Sequence, residues 1–266
     1  MNWKIILAGL LVFCAGILSA SAELKRREWM VDGATRQALV WIPGSGSTTN
    51  LPLVFVFHGH GGSMQKAARS MGYHQVWPEA VVVYMEGLPT PGALTDPEGL
   101  RNGWQQDAEA FGGRDLKFFD AVLSSLQKEY KIDPKRIFAT GHSNGGGFTY
   151  LLWAERGDVF AAMAPSGAFS VDLLSKLKPK PALHLAGEND QLVKFIWQSR
   201  TMRAVRSLNG CAETGVPWAS SGDLTGTVYP SATDTPFISL IHPGPHAFPA
   251  GAPALIVRFF KSVNSR

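Results

Sequence analysis

Short runs of apolar residues alternate along the chain with longer stretches in which apolar residues recur every three or four positions. Six of the short runs end in glycine or a polar residue, which is typical of parallel strands buried on both faces. These predicted strands span 51–59, 80–87, 136–143, 159–167, 181–190 and 236–244. Two β-like runs around Asp32-Gly33 also predict a hairpin near the start of the chain.

Helical spacing fills the intervals between the strands. Leu116, Phe119, Leu123 and Leu126 follow one another at three or four positions, and further helices are predicted over 144–156, 191–208 and 252–262. Strands that alternate with helices predict an α/β fold with a doubly wound, mostly parallel sheet and helices on both faces. Ligands of such sheets bind at the carboxyl ends of the strands, so the residues after each run are the candidates for chemistry.

The first 22 residues have the pattern of a secretory signal peptide. Lys4 precedes an apolar run that ends near Leu18, and Ala20-Ser21-Ala22 offers a cleavage site. An uncleaved anchor is the alternative, but the run is shorter than the roughly 20 residues of a membrane span. We therefore expect a secreted or periplasmic protein without stable membrane insertion after signal cleavage, and a single catalytic domain over residues 23–266.

The charge of the chain bears on its binding partners, and its cysteine content bears on whether a disulfide can form. The formal net charge is +4 and the basic residues are scattered, so no nucleic-acid partner is predicted. Cys14 would leave with the signal peptide, and Cys211 would then have no cysteine with which to form an internal disulfide.

The segment Gly141-His142-Ser143-Asn144-Gly145 has the form G-x-S-x-G. It follows a predicted strand and precedes a predicted helix, which is the context of a nucleophile elbow. The glycines would permit a sharp turn that raises the Ser143 hydroxyl above the sheet, while the N–H of Asn144 at the helix start could bind an anion. The alternative is an ordinary glycine-rich turn between a strand and a helix.

A serine nucleophile needs a base and an acid that orients the base. His242 and His246 both follow the last predicted strand, whereas His184 lies within an apolar run and is expected in the core. His142, beside the serine, is expected to point elsewhere. Glu188 and Asp190 follow the strand that begins at 181, so the order Ser143, Asp190, His246 matches nucleophile, acid and histidine.

An oxyanion hole is predicted in the segment FHGHGGS, residues 57–63. Its glycines allow the backbone to turn back after a strand, so that the N–H of His60 or Gly61 could act together with that of Asn144. A plain glycine turn is the alternative.

Several segments together resemble the exported esterase family that includes polyhydroxybutyrate depolymerases, feruloyl esterases and acetyl xylan esterases. They are LPLVFVFHGHGG, YKIDPKRIFATGHSNGGGF, LAGENDQLV, LNGC and HAFP. The resemblance implies an α/β-hydrolase fold and a Ser–Asp–His triad, with the family's motifs falling on Ser143, Asp190 and His246.

Three departures from the family pattern bear on the substrate rather than on the chemistry. Pro245 stands where the family has a glycine, Phe248 where it has a tryptophan, and Cys211 lacks the downstream cysteine with which the family often pairs it. The polymer-degrading members also often carry a linker and a polymer-binding domain, which this sequence lacks.

We interpret the sequence as a secreted serine esterase that acts through an acyl-enzyme on a small-molecule or polymeric ester and needs no metal or other cofactor. The loops 87–104 and 209–235 are expected to determine substrate choice, with Trp104 either lining the site or packing in the core. A serine peptidase of the prolyl-oligopeptidase type and a non-catalytic binding protein on a hydrolase scaffold are the alternatives.

Overall fold

A computed structural model describes residues 23–44 and 49–263. The predicted signal peptide, residues 1–22, lies outside the described residues. Within the described residues, no helix combines the length and the apolar character that crossing a membrane requires.

Twelve strands occur in the described part of the chain. They are β1 (Glu23–Val31), β2 (Ala34–Ile42), β3 (Leu51–Phe57), β4 (Val81–Met85), β5 (Leu88–Pro89), β6 (Asn102–Gly103), β7 (Ile132–His142), β8 (Ala162–Ser166), β9 (Ala182–Gly187), β10 (Val216–Ser221), β11 (Leu224–Tyr229) and β12 (Phe237–His242). The six predicted buried runs correspond to β3, β4, β7, β8, β9 and β12. The predicted hairpin corresponds to β1 and β2, which pair through a turn at Asp32-Gly33.

Six α-helices occur in the described part of the chain, of which the sequence predicted four. They are α1 (Met64–Met71), α2 (Tyr73–Val76), α3 (Arg114–Glu129), α4 (Asn144–Arg156), α5 (Phe195–Leu208) and α6 (Ala252–Val263). Helix α1 starts after Ser63, whose hydroxyl accepts a hydrogen bond from the Lys66 N–H at 3.2 Å and caps the helix. Helices α1 and α2 are too short for their apolar spacing to stand out from the flanking loops.

Ten strands form one sheet, in the order β1-β2-β4-β3-β7-β8-β9-β12-β11-β10. The six inner strands, from β4 to β12, pair in parallel, and each side of this block is extended by antiparallel strands. The predicted mostly parallel, doubly wound sheet is therefore confirmed, and the carboxyl ends of β3, β7, β9 and β12 share one edge.

Two apolar cores cover the two faces of the sheet. Within β3, Phe55 and Phe57 point into the core that contains α3, α4 and α5, whereas Val54 and Val56 point into the core that contains α1, α2 and α6. Because successive side chains of a strand point to opposite faces, a continuous apolar run such as β3 requires cover on both sides. Helices on both faces provide it.

The segment 209–235 differs from the expected loop because it contains β10 and β11. These strands pair with each other and then with β12, so they form one end of the sheet. Most of the β10 side chains are exposed or half-buried. An edge strand needs no long apolar run, and the sequence pattern therefore gave no signal for it.

Candidate active site

The turn between β7 and α4 places Ser143 in a backbone conformation that non-glycine residues rarely adopt, with φ 58° and ψ −123°. The two flanking residues must be glycines because there is no room for a side chain at either position. A Cβ on Gly141 would collide with the Gly145 carbonyl, and one on Gly145 would collide with the Phe57 carbonyl. The sequence G-x-S-x-G thus forms the sharp turn that it predicts.

The Ser143 backbone is held on both sides. Its N–H donates to the Ser166 carbonyl at 2.8 Å, and its carbonyl accepts from the Gly147 N–H at 2.9 Å. Ser143 and Asn144 line a cavity of about 430 Å³. No hydrogen bond joins the Ser143 hydroxyl to His246 among the residues that the structure describes. Such contacts often tighten only when a substrate is bound.

Asp190 and His246 form a close pair. The Asp190 Oδ2 lies 2.6 Å from the His246 Nδ1, and the Asp190 side chain is almost fully buried. The other oxygen, Oδ1, accepts the backbone N–H groups of Leu192 at 2.9 Å and Val193 at 2.8 Å. Glu188 is exposed. An ionised carboxylate accepts only, so His246 presents Nδ1–H to Asp190 and keeps Nε2 free to accept a proton.

His246 also rests on a second histidine. The rings of His142 and His246 lie 4.8 Å apart, and His142 Nδ1 lies 3.0 Å from the buried Ser166 hydroxyl. Burial, followed by repulsion from His246, lowers the pKa of His142 to about 3, so this ring stays neutral. His142 is therefore part of the site, contrary to the expectation that it points elsewhere.

His242 does not hydrogen-bond to Asp190. Asp190 hydrogen-bonds to His246, whereas His242 Nδ1 accepts the Gly244 N–H at 3.2 Å. Burial lowers the pKa of His242. Of the two histidines after the last strand, the structure brings His246 rather than His242 to Asp190.

The two predicted donors in the loop after β3 have different positions. The Gly61 N–H donates to the Asn102 carbonyl at 2.7 Å, so it is not available to a ligand. The N–H groups of His60 and Asn144 have no hydrogen-bond acceptor among the described residues, and both residues line the cavity. The candidate oxyanion hole is therefore reduced to His60 and Asn144.

Glu86 fixes this loop in place. Its Oε2 accepts the Met64 N–H at 2.7 Å and its Oε1 accepts the Asn102 side-chain amide at 2.9 Å. His58 adds a second tie, because its Nε2 accepts the Gly87 N–H at 3.0 Å while its Nδ1 donates to the Gly59 carbonyl at 2.8 Å. The loop that begins at His58 is thus held by polar groups of Glu86 and Gly87, which directly follow β4.

Trp104 packs in the core and does not line the cavity. Its side chain is fully buried against Phe57 and Phe148, and its Nε1–H donates to the His58 carbonyl at 2.9 Å. The Trp104 backbone instead holds the Asn144 side chain, since the Trp104 N–H donates to Asn144 Oδ1 at 2.7 Å. The prediction of a substrate-binding Trp104 side chain is wrong, because an indole of this size fills the space between β3 and α4.

The cavity is walled by three segments. Gly92–Thr95 come from the expected loop 87–104, Gly167–Leu173 follow β8, and Leu192 and Val193 follow β9. No residue of 209–235 lines this cavity, so its role in substrate choice stays a prediction. His60 Nε2 lies 2.9 Å from the Asp96 carboxylate, and this bond, with the Arg101 N–H, lowers the pKa of Asp96 to about 2.

Comparisons of sequence and structure identify proteins that are similar to this chain. The Prolyl oligopeptidase family matches residues 102–185. The bifunctional acetylxylan esterase/xylanase XynS20E of Neocallimastix patriciarum is 34% identical over 201 residues, which cover 74% of this chain and 28% of that protein. Feruloyl esterase C of Emericella nidulans is 28% identical over 187 residues, covering 67% and 66%. The chain thus spans less than two thirds of the length of either relative.

The solved structure of an acetyl xylan esterase from Aspergillus awamori superposes with a TM-score of 0.68 at 14% identity, over 89% of this chain and 99% of that one. The chain has the α/β-hydrolase fold. The resemblance to feruloyl and acetyl xylan esterases that the motifs indicated is confirmed. In this fold, Ser143, Asp190 and His246 all follow the carboxyl ends of parallel strands.

Two groups around the candidate site are not indicated by the sequence pattern. His142 is expected from the sequence to point elsewhere, although it occupies a position inside the G-x-S-x-G motif. Gln198 was missed altogether, although its Nε2–H donates to Asp190 Oδ2 at 3.2 Å. The one available signal was its place in the first turn of an amphipathic helix that directly follows the acid.

Proposed function

We propose that the protein is an exported serine esterase with Ser143 as nucleophile, His246 as base and Asp190 as the acid that orients it. The observation that carries the proposal is that Ser143 stands in a high-energy turn at the edge of the sheet where Asp190 pairs with His246, and that its neighbour His142 packs 4.8 Å from the His246 ring. The relatives named as esterases support the same activity. The signal-peptide pattern before residue 23 supports export of a single catalytic domain.

The acylation step would use these groups in order. Ser143 Oγ attacks the ester carbonyl carbon while His246 Nε2 takes the hydroxyl proton, and Asp190 stabilises the imidazolium that forms. The N–H groups of His60 and Asn144 would hold the negative oxygen of the tetrahedral intermediate. When that intermediate collapses, His246 returns its proton to the leaving alkoxide, and an acyl-serine remains.

Deacylation would repeat the sequence with water as the nucleophile. His246 takes a proton from the water, the oxygen adds to the acyl carbon, and Ser143 leaves with the proton that His246 returns. His142 stays neutral beside the base because burial lowers its pKa to about 3. It therefore adds no positive charge that would oppose the imidazolium.

The cavity favours an aromatic or short acyl ester as substrate. Leu94, Ala168, Phe169 and Val171 give it apolar walls, and its volume of about 430 Å³ suits a small acyl group. Feruloyl and acetyl esters are the groups named for the relatives, and short polyhydroxybutyrate is the third candidate from the sequence resemblance.

Ser143→Ala tests the proposal. A fluorophosphonate should label the parent protein once, at Ser143, and the variant should lose nearly all hydrolysis of p-nitrophenyl acetate, methyl ferulate and acetylated xylan. Some rate above water would remain from binding and the oxyanion hole. Ser70→Ala, on the exposed side of α1, is the matched control and should keep full activity. Persistent turnover in purified Ser143→Ala would overturn the proposal.

The match to the Prolyl oligopeptidase family makes peptide cleavage the second candidate. A p-nitrophenyl ester and a p-nitroanilide with the same acyl group separate the two activities. We expect the ester to be the far better substrate by kcat/KM, even after correction for the uncatalysed rates. A larger corrected kcat/KM for the anilide, with Ser143 still essential, would establish a peptidase instead.

A further inference from the structure

The Asp190 carboxylate is the end of a buried chain of polar side chains that runs away from the cavity. Gln198 Nε2 lies 3.2 Å from Asp190 Oδ2, Gln198 Oε1 lies 3.2 Å from His184 Nε2, and His184 Nδ1 lies 2.7 Å from the Tyr150 hydroxyl. We call Gln198, His184 and Tyr150 the polar relay. Its members come from α5, β9 and α4, and each is at most 1% exposed.

The direction of every hydrogen bond in the polar relay is fixed. Gln198 Nε2 has two acceptors, Asp190 Oδ2 and the Val193 carbonyl at 2.6 Å, so the amide oxygen faces His184. His184 must then donate from Nε2, which leaves Nδ1 to accept the proton of Tyr150. All the donors of the polar relay therefore point toward Asp190.

His184 can act in this way only as a neutral ring, and its surroundings keep it neutral. Burial lowers the pKa of His184 to about 4. Among the described residues, His142 interacts electrostatically with both Asp190 and His246, His242 interacts with Asp190, and Glu188 acts on His242; none of these groups belongs to the polar relay.

We propose that the polar relay positions the Asp190 carboxylate for the base, so that Gln198, His184 and Tyr150 are positioning residues of the reaction. The inference rests on the proposed function. Hydrogen bonds in series polarise one another, and a buried carboxylate is held most firmly by donors that cannot be replaced by water. Leu192 and Val193 hold Oδ1, while the polar relay holds Oδ2, the oxygen that His246 also uses.

A purely structural role would give different results. Buried polar groups need partners for stability alone, and deleting one costs stability wherever it lies. The test must therefore contain a control that loses an equivalent bond far from Asp190. Tyr73 is suitable, because its buried hydroxyl contacts the Thr140 hydroxyl at 3.2 Å and has no contact with the polar relay.

The first experiment replaces Gln198 by methionine, which keeps the length and removes the donor. We expect kcat/KM for p-nitrophenyl acetate to fall about ten- to a hundredfold, the range for loss of a hydrogen bond to a charged group, with most of the loss in kcat. The acidic limb of the pH–rate profile should move to higher pH. A carboxylate that accepts fewer hydrogen bonds attracts a proton more strongly, so it stabilises the protonated His246 ring. The pKa of His246 would therefore rise, and deprotonation to the active base would require a higher pH.

The second experiment compares Tyr150→Phe with Tyr73→Phe. Both should lower the melting temperature by similar amounts, but only Tyr150→Phe should lower kcat and move the acidic limb. Proton NMR supplies a readout that needs no turnover. The low-field signal of the His246 Nδ1–H, assigned by its loss in His246→Ala, should shift in Gln198→Met and Tyr150→Phe and stay unchanged in Tyr73→Phe.

Two outcomes would overturn the inference. One is a folded Gln198→Met with parent kcat/KM and an unmoved NMR signal, and the other is a Tyr73→Phe that changes kcat and the pH profile as much as Tyr150→Phe does. The Ser143→Ala result is separate from both. If Ser143→Ala remains active, the proposed function fails, whereas its inactivity together with unaffected relay variants refutes only the polar relay.

Discussion

At the scale of single residues, burial separates the two carboxylates that follow β9. Asp190 is held by Leu192, Val193 and Gln198, whereas Glu188 is exposed. Asp190→Asn should lower kcat by about 10³–10⁴, because an amide there favours the wrong tautomer of the histidine. Steady-state kinetics on p-nitrophenyl acetate measure the loss. Glu188→Gln is the control, and a larger loss in that variant would assign the acid to Glu188.

The two histidines after β12 differ in the same way. His246 donates its Nδ1–H to Asp190, whereas His242 accepts the backbone N–H of Gly244. His246→Ala should abolish the acylation burst with p-nitrophenyl acetate, because Ser143 then has no base. His242→Ala should retain it. Stopped-flow measurement of the burst decides between them, and a normal burst in His246→Ala would identify another base.

At the scale of elements, the elbow depends on close approach between α4 and β3. Gly145→Ala would press a methyl group against the Phe57 and His58 carbonyls, so we expect a loss of about 1–3 kcal/mol in the free energy of unfolding. Displacement of α4 should also lower kcat. Chemical denaturation and kinetics check the two effects.

Gly157→Ala is the matched control for that change. Gly157 has helical backbone angles, and a Cβ there would lie 3.5 Å from the nearest atom, on Trp153. The substitution should be neutral or stabilise by about 0.4–1 kcal/mol. If both variants lose the same amount of unfolding free energy, the tight packing around Gly145 is not the cause of the loss in Gly145→Ala.

Strands and helices could be predicted from the sequence wherever burial determines the spacing of the apolar residues. The six inner strands carry continuous apolar runs because both faces are covered, and the positions of Ser143, Asp190 and His246 followed from the strand ends. The strands β10 and β11 left no such run. Gly61 and Trp104 could not be placed, because the Asn102 carbonyl and the pocket between β3 and α4 come from segments distant in sequence.

At the scale of the whole molecule, neutral buried histidines link stability to pH. Burial lowers the pKa of His142 to about 3 and that of His184 to about 4, from 6.5. As the pH falls below 6.5, the two histidines become protonated in the unfolded chain while they remain neutral in the folded protein. The free energy of unfolding therefore decreases until the pH reaches the pKa values of the folded state. Each group contributes a slope of about 1 kcal/mol per pH unit.

The expected slope is measurable by denaturation between pH 6.5 and 4.5. Depressed carboxylates such as Asp96, with a folded pKa of about 2 against 3.8, act mainly below this window. His142→Gln should make the slope shallower by one group's share. If the free energy of unfolding of the parent protein stays constant across this pH range, the prediction that the buried histidines remain neutral in the folded protein is wrong.

The parallel sheet also determines when activity can first exist. β3 and β7 can pair as soon as both have been synthesised, but β12 and the loop with His246 follow the β10–β11 hairpin, late in the chain. Non-local parallel pairings form slowly because long loops must close first. A nascent or refolding chain can therefore form its central strands and expose Ser143 while it remains inert. Hydrolysis should then begin only when the C-terminal strand β12 has docked. The delay between the recovery of circular dichroism and the recovery of turnover measures the time that this last step takes.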